Sequence, residues 1–300
     1  MIPLEKLTTE QRNPATAHID QLPTLEIAKL MNEEDKKVAL AVEKILPDIA
    51  RAIDLVAERL QKGGRLFYLG AGTSGRLGIL DAVECPPTYG TEPELVQGLM
   101  AGGYEAIFRA REGAEDDPAL GRADLEAAGF KASDVLVGLA ASGRTPYVKG
   151  GLAYAKEIGA ASLALACTEN AEIAPLADIA LLPVTGPEAI TGSTRLKAGT
   201  AQKMVLNMLS TGTMVKLGKV YGNLMVDVKA TNRKLEERAL RMVMEAASCS
   251  RREAEVHLQR AGGRAKLAIL MALTGCSPAE GRLRLSLSQG RLGEALKNTD

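Results

Sequence analysis

Three hundred residues, 46% apolar and 25% charged, are enough to bury a full core, and the length suits one large domain with appendages. The 37 basic residues are balanced by 37 acidic ones, so no global positive field exists to hold a polynucleotide or an anionic membrane, and any anion site has to be local. There is no tryptophan to stack on single-stranded bases, and Cys85, Cys167, Cys249 and Cys276 form no CxxC pair and have only His18 and His257 to join them, so neither a metal site nor a disulfide framework is expected.

The first residues mix charge and polarity instead of pairing a basic start with an apolar run, and no uncharged stretch reaches about 18 residues. A cytoplasmic chain is expected, with no membrane and no nucleic-acid partner.

In chain order, residues 1–54 read as a helical N-terminal segment, 55–218 as a sheet domain and 219–300 as a small all-helical C-terminal domain. From Val38, the apolar residues Val42, Ile45, Ile49, Ile53, Val56 and Leu60 recur three or four apart, one face of a helix that ends at Gly63-Gly64. Pro47 kinks that helix or restarts a second one. Beyond it come short apolar runs at 65–69, 134–140, 161–166 and 179–184, separated by helix-length segments. Strands apolar on both faces that alternate with helices predict an α/β fold, a doubly wound parallel sheet of the flavodoxin-like kind with flanking helices. From Thr191, the residues Leu196, Val205, Met208, Leu209 and Val215 continue at near-helical spacing, with Thr191 and Ser193 as capping candidates, and close the sheet domain near Gly218. The last eighty residues show no convincing strand, and blocks at 265–273 and 279–287 read as short helices.

Ligands in such sheets sit at the carboxyl ends of strands, which directs attention to the loops after Leu69 and Ala141. Gly70-Ala71-Gly72-Thr73-Ser74-Gly75 formally satisfies the dinucleotide fingerprint, but its glycines and the hydroxyls of Thr73 and Ser74 suit any phosphate. Ser142-Gly143-Arg144-Thr145 is a second loop of the same kind, and two such loops favour a compact sugar phosphate. Glu188 to Lys197 is a third candidate, with Thr191, Ser193 and Thr194 crowding a helix start. The plain alternative for each is a turn with capping hydroxyls and no ligand.

No nucleophile–base pair is apparent, so acid–base work falls to carboxylates. Glu84 precedes Pro86-Pro87, which are expected to end its helix, and a carboxylate at a helix C-terminus is electrostatically unfavourable, though a solvated surface glutamate is the commoner case. Glu112, Glu115, Asp116 and Asp117 form an acidic cluster that read alone is a solvated charge run.

The run Leu69-Gly-Ala-Gly-Thr-Ser-Gly-Arg-Leu-Gly-Ile-Leu-Asp-Ala-Val-Glu-Cys-Pro-Pro-Thr-Tyr-Gly closely resembles the bacterial N-acetylmuramic acid 6-phosphate etherases. The resemblance continues through Arg12-Asn13-Pro14, 32–36, 112–116, 141–148, 191–203 and 222–227. It implies a sugar isomerase (SIS) domain in a homodimer and cleavage, without metal or cofactor, of the lactyl ether at C3 to N-acetylglucosamine 6-phosphate and D-lactate during cell-wall recycling. By position in the motifs, Glu84 resembles the proton donor to lactate and Glu115 the base. Gly72, Thr73, Ser74, Ser142, Gly143, Arg144, Thr145, Glu188, Thr191, Ser193 and Thr194 are the candidates for holding the sugar and its phosphate. The rival readings are a non-catalytic sugar-phosphate sensor, resembling the regulator of animal glucokinase, and an aldose–ketose phosphosugar isomerase. A dinucleotide oxidoreductase stands third, since it needs an acidic residue at a strand end about 20 positions past the glycines, where Glu92 and Glu94 flank Pro93.

Overall fold

The computed structural model describes residues 8–109, 111, 113–228 and 233–297. They form two compact units, one of residues 1–83 and 94–210, the other of 84–93 and 211–300. Helix α1 (Thr24–Glu43) stops short of Pro47, and α2 (Leu46–Gln61) begins with that proline in its first turn, where a missing N–H costs nothing. Of the two outcomes open for Pro47, the structure shows the restart. Helix α2 then buries Ile49, Ala52, Val56 and Leu60, the stripe expected from their spacing.

The sheet of the first unit has five parallel strands, β1 (Leu66–Gly70), β2 (Val96–Met100), β3 (Val135–Leu139), β4 (Ala161–Leu165) and β5 (Ile179–Leu181), in the order β2-β1-β3-β4-β5. Strands β1, β3 and β4 are buried throughout, as expected of strands covered on both faces. The chain runs outward from β1 to β2 and then returns past β1 to β3, so the switch in direction lies between β1 and β3. Gly70 pairs in register with Leu139, which brings the loops after these two strands out side by side.

Strand β2 was not among the four expected runs. Its sequence, Val-Gln-Gly-Leu-Met, sits at the sheet edge with its three central residues only half-buried, so an apolar-run criterion passes over it. Gly98 is glycine because a Cβ there would lie 2.6 Å from the Ile79 Cα; the helix above packs directly on the strand backbone.

That helix, α3 (Gly72–Tyr89), corrects a second expectation, because Pro86 and Pro87 lie inside it. Each proline removes one backbone donor, but its carbonyl can still accept, and Gly90 N–H donates to Pro86 O at 2.9 Å. Tertiary contacts hold this last turn: Cys85 and Tyr89 are buried, and Tyr89 Oη donates to Thr211 Oγ1 at 3.2 Å. Within the first unit Asp81 is a buried junction, accepting from Tyr68 Oη (2.8 Å), Asn207 Nδ2 (2.8 Å) and Ser210 Oγ (3.0 Å). Burial raises its pKa against those three donors. Asp81→Ala removes the acceptor that these three donors share, and urea denaturation should show a loss of about 2–3 kcal/mol.

The remaining helices of the first unit are α4 (Gly103–Phe108), α5 (Pro118–Ala127), α6 (Pro146–Glu157) and α7 (Lys197–Lys216), of which residues 211–216 belong to the second unit. The second unit holds α8 (Arg233–Ala247), α9 (Arg251–Arg260), α10 (Ala265–Thr274), α11 (Pro278–Leu287) and α12 (Leu292–Lys297). Helix α10 is its axis, buried continuously from Ala265 to Met271. Lys266 is tolerated there because its ammonium donates to three acceptors, Gly218 O, Asp227 Oδ2 and Gly290 O. No helix among the described residues is long and apolar enough to cross a membrane.

Candidate active site

The loop after β1 places Gly72 at the exposed start of α3 and Thr73 half-buried behind it. Thr73 makes no side-chain hydrogen bond among the described residues, so its hydroxyl is available. Ser74 is turned inward and donates to Gln202 Oε1 on α7 at 2.9 Å. Of the three candidates in this loop, Ser74 therefore links helices, while Gly72 lines a cavity.

The loop after β3 is shaped by Gly143, whose φ of +71° and whose contact with the next strand's loop both require glycine; a Cβ would lie 2.5 Å from that of Ala171. Ile173 N–H donates to Gly143 O at 3.0 Å and fixes the turn. Thr145 occupies the cap position of α6 yet makes no capping bond with its side chain. Ser142 is half-buried with its hydroxyl likewise unclaimed among the described residues. The guanidinium of Arg144 is committed to Glu172, Nε to Oε1 at 2.6 Å, a carboxylate also paired with Lys149.

The third candidate segment folds differently from the expected cap. Thr191 and Ser193 do not cap α7; the Glu188 carboxylate does, accepting from Lys197 N–H at 2.9 Å and Ala198 N–H at 3.0 Å. Burial raises the pKa of Glu188 against those two bonds. Only 1% exposed and with both oxygens engaged, Glu188 supports the loop from beneath. Because the cap is supplied from elsewhere, Thr191, Ser193 and Thr194 keep their hydroxyls free of any bond among the described residues. A Cβ on Gly199 would meet Thr73 Cγ2 at 3.4 Å and Thr194 O at 3.5 Å, so the first and third loops adjoin.

Residues that were not among the candidate site residues hold this arrangement. Lys197 reaches from α7 to Glu34 on α1 in a buried ion pair of 2.6 Å, and Asn13 Nδ2 donates to Pro187 O at 3.3 Å. Gln202, on the same helix as Lys197, anchors Ser74. Their signal in the sequence is only that polar residues sit at positions a helix would bury.

A cavity of about 130 Å³ opens beside Gly72, lined also by Arg76, Arg111 and Glu115. Glu115 is exposed, and its loop is tied to the start of α6 by Tyr147 N–H donating to Glu115 O at 3.0 Å. Arg76 donates from Nε to Ile107 O (2.8 Å) and from Nη2 to Ala106 O (2.7 Å), pinning the end of α4. Of the acidic cluster, Asp117 caps α5 through Ala119 N–H, and Glu112 lies outside the described residues. Glu84 stands exposed on α3, within the stretch that belongs to the second unit. The carboxyl end of β2 carries Met100-Ala101-Gly102 and offers no carboxylate to a ribose, against the dinucleotide reading. Burial pushes the Cys167 thiol far above its usual range, so it is no nucleophile.

The parallel sheet and the glycine-and-hydroxyl turns at its β1/β3 switch point define the class, a doubly wound α/β domain with its crevice at the carboxyl ends of the strands. Residues 48–156 match the family model of the glucokinase regulatory protein N-terminal SIS domain. The N-acetylmuramic acid 6-phosphate etherase of Clostridium beijerinckii is 58% identical over 297 residues, 99% of this chain and 98% of that one. That of Aeromonas hydrophila is 57% identical over 98% of both chains. Among solved structures, the Vibrio vulnificus NanR protein complexed with ManNAc-6P superposes with a TM-score of 0.46 at 14% identity over 67% of each chain. The chain belongs to the N-acetylmuramic acid 6-phosphate etherase family, a family of carbon–oxygen lyases.

Proposed function

We propose that this protein cleaves the D-lactyl ether of N-acetylmuramic acid 6-phosphate by elimination and water addition, giving N-acetylglucosamine 6-phosphate and D-lactate in cytoplasmic recycling of cell-wall amino sugar. The observation that carries the reading is Glu115 lining the cavity beside Gly72, at the edge of a phosphate-suited loop, in a chain 58% identical to an etherase.

An unactivated ether is inert, but the open-chain sugar carries an aldehyde that acidifies its C2 proton. Glu115 takes that proton, the C3–O bond breaks, and Glu84 protonates the departing lactate oxygen. Water then adds across the resulting double bond, its oxygen to C3 and a proton to C2, and both carboxyl groups return to their starting states. The sugar phosphate is held by neutral donors, the hydroxyls of Thr73, Ser142, Thr145, Ser193 and Thr194 with the backbone at Gly72 and Gly143. Ser142→Ala should raise KM about tenfold and leave kcat within a factor of about three in steady-state assays of lactate release.

The working unit is a homodimer, with residues 55–218 as the sugar-phosphate domain. Leu80 and Val83, 50% and 58% exposed on α3 next to Glu84, support a partner on that face. The deciding experiment incubates the purified protein with N-acetylmuramic acid 6-phosphate in water enriched in heavy oxygen, with nothing else added. D-lactate together with label at C3 is the expected result; bound substrate that stays intact would favour a sensor instead.

A further inference from the structure

The cavity that contains Glu115 is small, and the described residues that line it include more cations than carboxylates. At about 130 Å³ it has room for a small charged substituent of a sugar. Among the described residues that line it, two guanidiniums, Arg76 and Arg111, face one carboxylate, Glu115. With Glu115 ionised, as a base must be, the described residues that line the cavity still carry one positive charge in excess, which a monoanionic group entering it would balance.

The two arginines are held differently. Arg76 is fixed by its bonds to Ala106 O and Ile107 O, which engage Nε and Nη2 and leave the Nη1 corner for a ligand. Arg111 is exposed and, among the described residues, tethered by a long bond, Nη1 to Gly102 O at 3.4 Å, so it can turn onto an incoming anion. Among the described residues neither makes an ion pair, in contrast to Arg144, which Glu172 occupies.

We propose that Arg76 and Arg111 form a carboxylate-recognition corner that receives the lactyl carboxylate of the substrate and so distinguishes it from amino sugar phosphates that lack this group. The inference rests on the function proposed above. There, Glu115 acts at C2, and the ether is on the neighbouring carbon C3, so the lactyl group has to enter the cavity Glu115 lines. The phosphate, at the far end of the sugar, falls to the hydroxyl turns. Arg76 sets the position of the corner and Arg111 supplies the contact that closes it.

The test compares N-acetylmuramic acid 6-phosphate with its lactyl carboxamide, which has the same shape without the charge. The wild-type protein should prefer the acid by about 10- to 100-fold in kcat/KM, the range for a hydrogen bond to a charged group. Arg111→Gln should lose most of that preference by slowing the acid and leaving the carboxamide within about threefold, and Arg111→Lys should restore part of it. Arg76→Gln disturbs α4 as well, so Arg111 carries the test, with circular dichroism confirming that its variants are folded. Equal turnover of acid and carboxamide by the wild type would overturn this inference and leave the proposed function intact. So would an Arg111→Gln variant that slows both substrates equally, which is the result for a phosphate at this corner. No lactate from the acid with the wild-type protein would overturn the proposed function, and the corner with it.

Discussion

Glu115→Gln is expected to lower D-lactate release by about 10²- to 10⁴-fold and to abolish exchange of the sugar's C2 proton with deuterated water, because the amide cannot accept that proton. Glu84→Gln is expected to lower lactate release over the same range while C2 exchange continues, since a proton donor to the leaving oxygen is not needed to form the carbanion. Proton NMR of the substrate in deuterated water reads the exchange and an enzymatic lactate assay reads the release. Two variants equal in both measurements would show that the assignment of base and donor is wrong. Unchanged release in Glu84→Gln would remove that residue from the chemistry. Both carboxylates are solvent-exposed in the chain, so neither substitution leaves a buried vacancy and loss of activity is not confused with loss of fold.

Lys197→Met is expected to have the largest effect on stability. Lys197 and Glu34 are 2% and 3% exposed, and removing the ammonium strands a carboxylate whose other partner, Lys37, is itself 57% exposed. The cost should be about 3 kcal/mol in urea denaturation at neutral pH, at the lower end for a broken buried pair because Lys37 remains. The pH dependence gives a second readout. Burial raises the pKa of Glu34, but its bonds to Lys197 and Lys37 and the charge of Lys197 outweigh that and hold it below the ordinary value. A carboxylate with a depressed folded pKa contributes stability that is complete above the unfolded value, about 4.3, and is lost as pH falls through the folded value. Without Lys197 this contribution shrinks, so the gap between wild type and variant should narrow as the pH is lowered below about 4.3. A gap independent of pH would mean that the pair acts through packing alone.

The strand runs at 65–69, 134–140 and 161–166 were legible because central strands of a parallel sheet are buried on both faces, and continuous apolar sequence follows from that; the run at 179–184 is the other edge strand, legible because its residues are nonetheless apolar. β2 was not, because an edge strand under a closely packed helix is selected for a glycine at the contact, not for apolar continuity. The glycine turns were legible for a related reason: Gly143 answers a backbone demand that no other residue meets without strain. The prolines in α3 misled, since a local rule for ending a helix was overridden by the burial of Cys85 and Tyr89 around them.

What the sequence by itself determined was the doubly wound sheet and the glycine-and-hydroxyl loops at its strand ends, both consequences of short-range demands on backbone and burial. Membership of the etherase family also lay in the residues, in runs long enough to be specific. Only the tertiary structure decided which polar residues face the opening and which are spent holding it. Ser74 goes to Gln202, Arg144 to Glu172 and Glu188 to the start of α7, while Arg76 and Arg111 join Glu115 around one cavity. These pairings join residues distant in sequence, and no local propensity encodes them; they follow from which helix faces which strand once the sheet has formed.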